Sequence, residues 1–386
     1  MRVSDNMRYY STIKNMNSLQ EGYNALLEKL ASQKKINRPS DDPTGMMKVL
    51  NGRQTLASLD QYRGNIEQGT AWIRMTDTAL SGILDLLSII GSAVDHYDME
   101  DMATQQIYAG QVRDTRDQIL SLANSQLNGN HLFAGSLVGT EPFSAAPHEA
   151  GVEGGMGARN AYTGTLVPDG VYMGASNKTY VVRMTEGGTV GTASYRISQD
   201  GGKTWGAPSD AWSGGDTILL PDDLTLTFDA GDVGENDVFY VKAYAEGYYK
   251  GDDQSLSLPI GAGNLAAYST PGSEAFAGLF ETLTALITAM EGHDAAEVEA
   301  QRANVAAARE RIELAASLCS TKQLRLEMAG DSLSRLDKQV TDIVANAENA
   351  DVTALGMLLS MKEIALKSTY ALAGGLGQNS ILNFLK

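Results

Sequence analysis

Four histidines, one cysteine and a few acidic clusters are the residues of this 386-residue chain that could carry chemistry. His96, His131, His148 and His293 are scattered through the sequence, without an HExxH pair, a Cys/His ligand spacing or a GxSxG turn. Neither a metal-activated water nor an activated nucleophile is indicated. Cys319 has no second cysteine to pair with and falls on a seven-residue apolar row, where a small core hydrophobe is the expected role. Asp252-Asp253 and Asp229-Ala230-Gly231-Asp232 do not follow the spacing of an EF-hand loop and read as solvated turns. No catalytic residue, cofactor or metal is expected, and the chain reads as a non-enzyme.

One local pattern carries a further possibility. Ser198-Gln199-Asp200-Gly201-Gly202-Lys203-Thr204-Trp205 fits S-x-D-x-G-x-T-W, similar to the Asp-box turn that recurs around sialidase propellers. A single copy reads first as a β-hairpin turn in which the aspartate binds turn backbone. Carbohydrate contact by Trp205 or Trp212 is the alternative.

The elements that must position these residues are long helices at both ends of the chain. Residues 1–37 contain no proline, and Met16, Leu19, Tyr23, Leu26 and Leu30 recur at spacings of three and four, which makes a helical seam. Pro39 disfavours helix before it, while Asp42 and Pro43 provide an N-cap and a first helical position. Leu59, Ile66, Ile73, Leu80, Leu87 and Val94 then lie seven apart, so one stripe faces a partner over ~50 Å of helix. Tyr62, Gly69, Thr76, Ile83, Ile90 and Tyr97 form a weaker second row. A further helix is predicted from Asp101 to Leu127, ended by Asn128-Gly129-Asn130. Val298, Val305, Ile312, Cys319, Leu326, Leu333 and Val340 repeat the seven-residue row near the other end, with Ala308, Ala315, Ala329, Leu336 and Ile343 in part of a second. Leu355, Leu359, Leu366 and Tyr370 mark a last helix, weakened by Gly374, Gly375 and Gly377.

Between Ser136 and Pro271 the period changes to two. Thr179–Met184, Ser194–Ile197, Leu224–Phe228 and Val238–Val241 read as strands between Gly/Asp turns. The fold class is therefore α+β: a long-helix coiled-coil bundle made from both chain ends, with a β-rich domain inserted between them. The expected divisions are a helical assembly arm at 1–43, the N-terminal half of a helical core at 44–135, the β-rich insert at 136–271, the C-terminal half of the core at 272–347, and a second arm at 348–386. The seven-residue rows should bury within the chain's own core. The two arms have only each other to pack on, and neighbouring subunits would complete their burial.

The formal net charge is −17. Residues 136–270 hold 17 Asp+Glu against 7 Lys+Arg, a net of −10. An acidic surface of this kind repels phosphate backbones and anionic lipid, so neither nucleic acid nor membrane is an expected partner. The stretch MRVSDNMRYYSTIK has no apolar core of the secretory-signal type, and no run of about 18 apolar residues occurs. These facts fit a cytoplasmic protein or one exported without a cleaved signal.

The helical ends carry a resemblance. Ile36-Asn37-Arg38-Pro39-Ser40-Asp41-Asp42-Pro43, Asn128-Gly129-Asn130-His131-Leu132-Phe133-Ala134-Gly135 followed by Pro142-Phe143, Glu348-Asn349-Ala350-Asp351, and Asn379-Ser380-Ile381-Leu382-Asn383-Phe384-Leu385 together resemble the flagellin superfamily. The Pro-Ser-Asp-Asp-Pro form resembles its hook-associated members more than its filament-forming ones. The resemblance covers both helical ends and leaves residues 144–250 outside it. It implies a structural subunit of the bacterial flagellum at the hook–filament junction, exported unfolded through the flagellar channel. It also implies as partners further copies of the chain in an annular or helical assembly, hook-associated protein 1, flagellin and a flagellar export chaperone on the C-terminal arm. The three glycines of that arm depart from the family's smoother amphipathic helix. A filament-forming flagellin is the alternative within the family, and a glycan-binding module displayed in the insert is the alternative of another class.

Overall fold

The computed structural model describes residues 2–97 and 101–384. In chain order the helices are α1 (Arg2–Ser32), α2 (Pro43–Asp95), α3 (Met102–Ala123), α4 (Gly272–Ala275), α5 (Leu279–Glu291), α6 (Ala295–Glu348) and α7 (Val352–Phe384). Between α3 and α4 lie the strands β1 (Gln126–Leu127), β2 (Asn130–His131), β3 (Phe143–His148), β4 (Gly151–Met156), β5 (Leu166–Asp169), β6 (Lys178–Met184), β7 (Gly188–Thr189), β8 (Tyr195–Ser198), β9 (Thr217–Leu219), β10 (Thr225–Phe228), β11 (Asp232–Val233), β12 (Val238–Tyr244), β13 (Gly247–Tyr249), β14 (Ser257–Gly261) and β15 (Asn264–Ala267). The α+β class expected from the sequence is the class observed. The chain divides into two compact units, one of Met1–Arg63 with Asp331–Lys386, the other of Gly64–Gly330.

In the larger unit, the predicted seven-residue rows are buried. Ile66, Ile73, Leu80, Leu87 and Val94 of α2 and Val298, Val305, Ile312, Cys319 and Leu326 of α6 are all under a tenth exposed. Ile83 and Ile90 of the second row are fully buried beside them. By length and apolar content α2 could cross a membrane, yet in this fold that stripe is the inside of a helix bundle. Tyr97 donates its hydroxyl proton to the Met290 carbonyl oxygen at 2.6 Å, fixing the end of α2 to α5. Gly69 is buried where an added Cβ would meet Leu326 Cδ1 at 3.0 Å, so a small residue allows α2 and α6 to approach closely.

α3 is shorter than predicted. It ends at Ala123, and Gln126-Leu127 pairs with Asn130-His131 in a tight antiparallel hairpin. Asn128 and Gly129 occupy the turn at φ 54° and 81°, the left-handed pair that a two-residue type I′ hairpin requires. The Asn-Gly signal therefore makes a hairpin where it was read only as a helix stop. Beyond it, Phe133 is fully buried and meets Phe276 edge-on at 4.8 Å, while Phe143 lies 5.0 Å from Phe280. This aromatic cluster joins the end of the helical part to the strands.

The insert has one core with two sheets around it. The four-stranded antiparallel sheet has the order β4-β12-β6-β8, and the three-stranded one β5-β10-β9. Alternation sends Tyr180, Val182 and Met184 of β6, Phe239 and Val241 of β12, and Leu226 and Phe228 of β10 inward. Trp212 packs against this core and donates its indole N–H to the Ala193 carbonyl at 2.8 Å. Its role is structural, so the carbohydrate alternative passes to Trp205 alone. A second correction concerns Asp252, which is 1 % exposed rather than solvated. Its carboxylate accepts from the Ser136 amide at 2.7 Å and the Gln254 amide at 3.1 Å, and from the hydroxyls of Ser136 and Thr179. Four donors allow a charge to be buried there without a cation.

Candidate assembly site

The smaller unit brings together the two chain-end segments that the sequence marks as arms. Its centre is the helix break between α1 and α2. Asp41 accepts the amide protons of Asn37 and Arg38, both at 3.0 Å, and these bonds hold its carboxyl below the usual range. Asp42 accepts the Gly45 amide at 2.9 Å, capping α2 as its sequence position requires. Ile36 is buried within this turn at 4 % exposure. Gly45 lies beneath it, and an added Cβ would stand 2.6 Å from Ile36 Cδ1 and 2.5 Å from Asp42 Oδ2.

The break between α6 and α7 lies against the first. Lys34 and Asn349 form an antiparallel bridge, the Lys35 amide donates to the Glu348 carbonyl at 2.7 Å, and the Ala350 amide donates to Gln33 at 3.0 Å. Glu348, 9 % exposed, receives Lys34 Nζ at 2.5 Å and Arg53 at 2.7 Å. The hydrogen bond from Lys34 is the chief reason its carboxyl sits below the ordinary glutamate value, with Arg53 adding to it against the opposing effect of burial. Asp351 caps α7 by accepting from Thr353 at 2.9 Å and Ala354 at 3.0 Å. Two capped breaks cross-linked by backbone and by charge thus start α1 and α7 side by side.

The arm residues follow from that start. Met16, Leu19, Tyr23, Leu26 and Leu30 of α1 and Leu355 and Leu359 of α7 are half-buried, Leu366 is buried, and Tyr370 is 51 % exposed, its hydroxyl donating to Gln20 at 3.1 Å. Leu59 is buried in this unit, whereas Leu333 and Val340 are half-buried. Val340 and Val344 would both be met by a Cβ at Gly52, so α6 and α2 also touch here. Leu336 and Ile343 of the weaker row are 41 % and 50 % exposed, so this stretch of the row faces outward. Opposite its inner stripe, α7 carries Met357, Met361, Ile364 and Leu372, each 64–67 % exposed. Sequence reasoning named the inner stripe and missed this outer one, although its spacing of four and three was available as a signal. The helix continues through Gly374, Gly375 and Gly377 to Phe384; Leu385 of the closing motif lies outside the described residues. Among the described residues no group of three His, Cys, Asp or Glu side chains could hold a metal ion.

Comparison with known proteins places this geometry. Residues 3–137, the N-terminal third of the chain, match the bacterial flagellin N-terminal helical region. Over 115 residues the chain is 33 % identical to a flagellar filament 30.7 kDa core protein of Treponema maltophilum, covering 28 % of this chain and 40 % of that one. Over 152 residues it is 27 % identical to flagellar hook-associated protein 3 of Salmonella typhimurium, covering 38 % and 47 % respectively. The chain spans less than half the length of either relative. A solved structure assigned as a flagellar hook-associated protein of Vibrio parahaemolyticus superposes with a TM-score of 0.50 at 15 % identity, over 80 % of this chain and all of that one. It shares the fold.

Proposed function

We propose that the chain is a structural, non-enzymatic subunit of the bacterial flagellum that joins the hook to the filament. One observation carries the reading: α7 is apolar on two opposite stripes, and α1 covers only one of them. A helix apolar on both sides is stable in water only when something covers the second side. A neighbouring subunit with the same paired arms is the natural cover, and repetition of that contact builds an annulus. Leu26, Leu30, Leu355, Leu359 and Leu366 are the residues proposed to hold the arms together, with the seven-residue rows as the subunit's own core. The similarity to hook-associated protein 3 supports the junction. Hook-associated protein 1 on one side, flagellin on the other and an export chaperone before assembly are the partners this role requires, and the flagellar junction outside the cell is its place.

Deleting the gene and examining the cells by electron microscopy tests this. Hooks without filaments, and flagellin monomers in the medium, are the expected result. Normal attached filaments would remove the junction role. The second reading, a filament-forming flagellin, is favoured by the match to the Treponema filament protein. The Pro39–Pro43 break weighs against it, and growth of the purified chain into long filaments by itself would establish it.

A further inference from the structure

The outer face of the four-stranded sheet carries two arginines in an arrangement that the assembly role does not use. Arg183 of β6 and Arg196 of β8 are directly opposite partners in the antiparallel register. Both alternate away from the core, between Val182 and Met184 and between Tyr195 and Ile197. Like charges directly opposite on one sheet face repel and destabilise the pair. The insert is acidic overall, yet its Lys178–Asp222 ion pair lies elsewhere, and neither arginine has a carboxylate partner among the described ion pairs. Arg183 instead donates to the Asn236 side-chain oxygen at 2.5 Å, from a residue held at φ 68°.

These side chains wall a cleft of about 340 Å³, together with Met184, Thr185 and Trp205. Trp205 is fixed there by the Asp-box turn. Asp200 accepts the amide protons of Lys203 and Thr204 at 3.0 and 2.8 Å, and Ser198 accepts that of Gly202 at 2.8 Å. The Gly206 amide then donates to Ile197 at 2.9 Å, returning the chain to β8 immediately after the indole. The indole thus follows a hydrogen-bonded turn and lines the same cleft as the two arginines. The hydroxyl of Thr185, on the cleft wall, is buried and has no hydrogen-bond partner. A buried, unpaired hydroxyl is costly unless a ligand satisfies it.

We propose that this cleft binds an acidic sugar, a pyranose carrying a carboxylate. The carboxylate is bound by the facing guanidinium groups of Arg183 and Arg196, whose planar donor sets match two oxygens. The apolar face of the ring lies on Trp205, as sugar-sized ligands lie on aromatic walls. The requirement for an aromatic wall and an anion clamp together separates this ligand from a bare anion, which needs no indole, and from a neutral sugar, which needs no arginine.

Titration of the full chain with N-acetylneuraminic acid, glucuronic acid, glucose, acetate and inorganic phosphate at constant ionic strength tests the site. Calorimetry gives affinity, and tryptophan fluorescence with Trp205→Phe as the control locates it. Saturable binding of at least one of the two acidic sugars, tighter than acetate, phosphate and glucose and weakened ~10-fold or more in Arg196→Gln, is the expected result. Arg196→Lys keeps the charge without the planar fork and should fall between; it carries the comparison if the Gln variant is misfolded by near-UV circular dichroism. Equal binding of phosphate or acetate, equal binding of glucose, an unchanged affinity in the arginine variants, or no saturation by either acidic sugar overturns the proposal.

Discussion

Lys34 and Glu348, 314 positions apart in the chain, are joined at 2.5 Å where the two helix breaks meet. Arg53 reaches the same carboxylate at 2.7 Å, so one buried acid ties α1, α2 and α6 at the base of the arms. Glu348→Gln keeps the shape and removes the charge. It should destabilise the smaller unit by about 1 kcal/mol, since both cations are partly solvated. The pH dependence has a defined sign. The folded carboxyl lies below its ordinary value of 4.5, so the pairing contributes fully above that value and is lost as pH falls through the lower folded value. Urea melts of wild type and Glu348→Gln should differ at pH 7 and converge in acid; a difference that grows on acidification would refute this assignment.

Gly45 tests the break itself. A Cβ there would collide with Ile36 Cδ1 and Asp42 Oδ2, the two groups that close the turn and cap α2. Gly45→Ala should therefore cost ~1–3 kcal/mol, from overpacking and loss of the cap. Limited proteolysis should show faster cutting near residues 33–45. Gly22→Ala is the control: its Cβ would meet only the flexible end of Lys362, at 3.4 Å, and should be tolerated.

The contrast between these glycines shows what the sequence makes legible. The seven-residue rows and the capped breaks were readable because period and cap chemistry are local properties of the chain. The strands β6, β8, β10 and β12 were readable because β-branched and aromatic residues are concentrated between Gly/Asp turns, with clear alternation in β10 and β12. β4 was not: Gly-Val-Glu-Gly-Gly-Met has no apolar alternation and is extended because it pairs with β12 along six residues. Asp252 was misread because a buried carboxylate depends on donors from Ser136 and Thr179, remote in sequence. Leu336 and Ile343 continue a helical row but are exposed, because a period says which residues share a face and does not say that the same chain covers it. Of the outer-face cleft only Trp205 and its turn were visible; the register that sets Arg183 against Arg196 is a tertiary fact.

Cys319 gives a chemical readout of the larger unit. Burial pushes its thiol up from the ordinary value, outweighing the nearby Thr270 hydroxyl and Lys322, and it is 1 % exposed. A thiolate is the reactive form, so a disulfide reagent should modify the native protein only slowly, at the rate of unfolding, and promptly in denaturant. Rapid labelling without denaturant would place the residue outside the core.

Asp200 should make the Asp-box turn acid-sensitive. Burial alone would raise its carboxyl, but hydrogen bonds from Ser198, Thr204 and Lys203 outweigh that and hold it at about 2. The carboxylate's contribution is complete above the ordinary aspartate value of 3.8 and fades as pH falls towards 2. Trp205, mounted on that turn, should report the change in fluorescence in this window, and Asp200→Asn should abolish the transition. A transition persisting in Asp200→Asn would belong to another carboxyl.

On the proposed assembly, the two stripes of α7 separate folding of the arms from packing between neighbouring subunits. Leu366 is buried against α1 at 6 % exposure, so Leu366→Ala should cost ~2–5 kcal/mol of arm pairing even in the isolated subunit. Leu359, half-buried on the same stripe, should lose less in the free subunit and more on assembly, with the melting of the seven-residue core unchanged. Met361 faces outward at 64 % and has nothing in its own subunit to lose. Met361→Glu should leave thermal unfolding of the monomer as it is and still prevent incorporation into flagella, because a charge would be carried into the contact between neighbours. The decisive comparison is between melting temperature and complementation of a deletion strain. If Met361→Glu complements fully, the outer stripe is solvent-facing in the assembly, and the cover for α7 has to be sought on another surface.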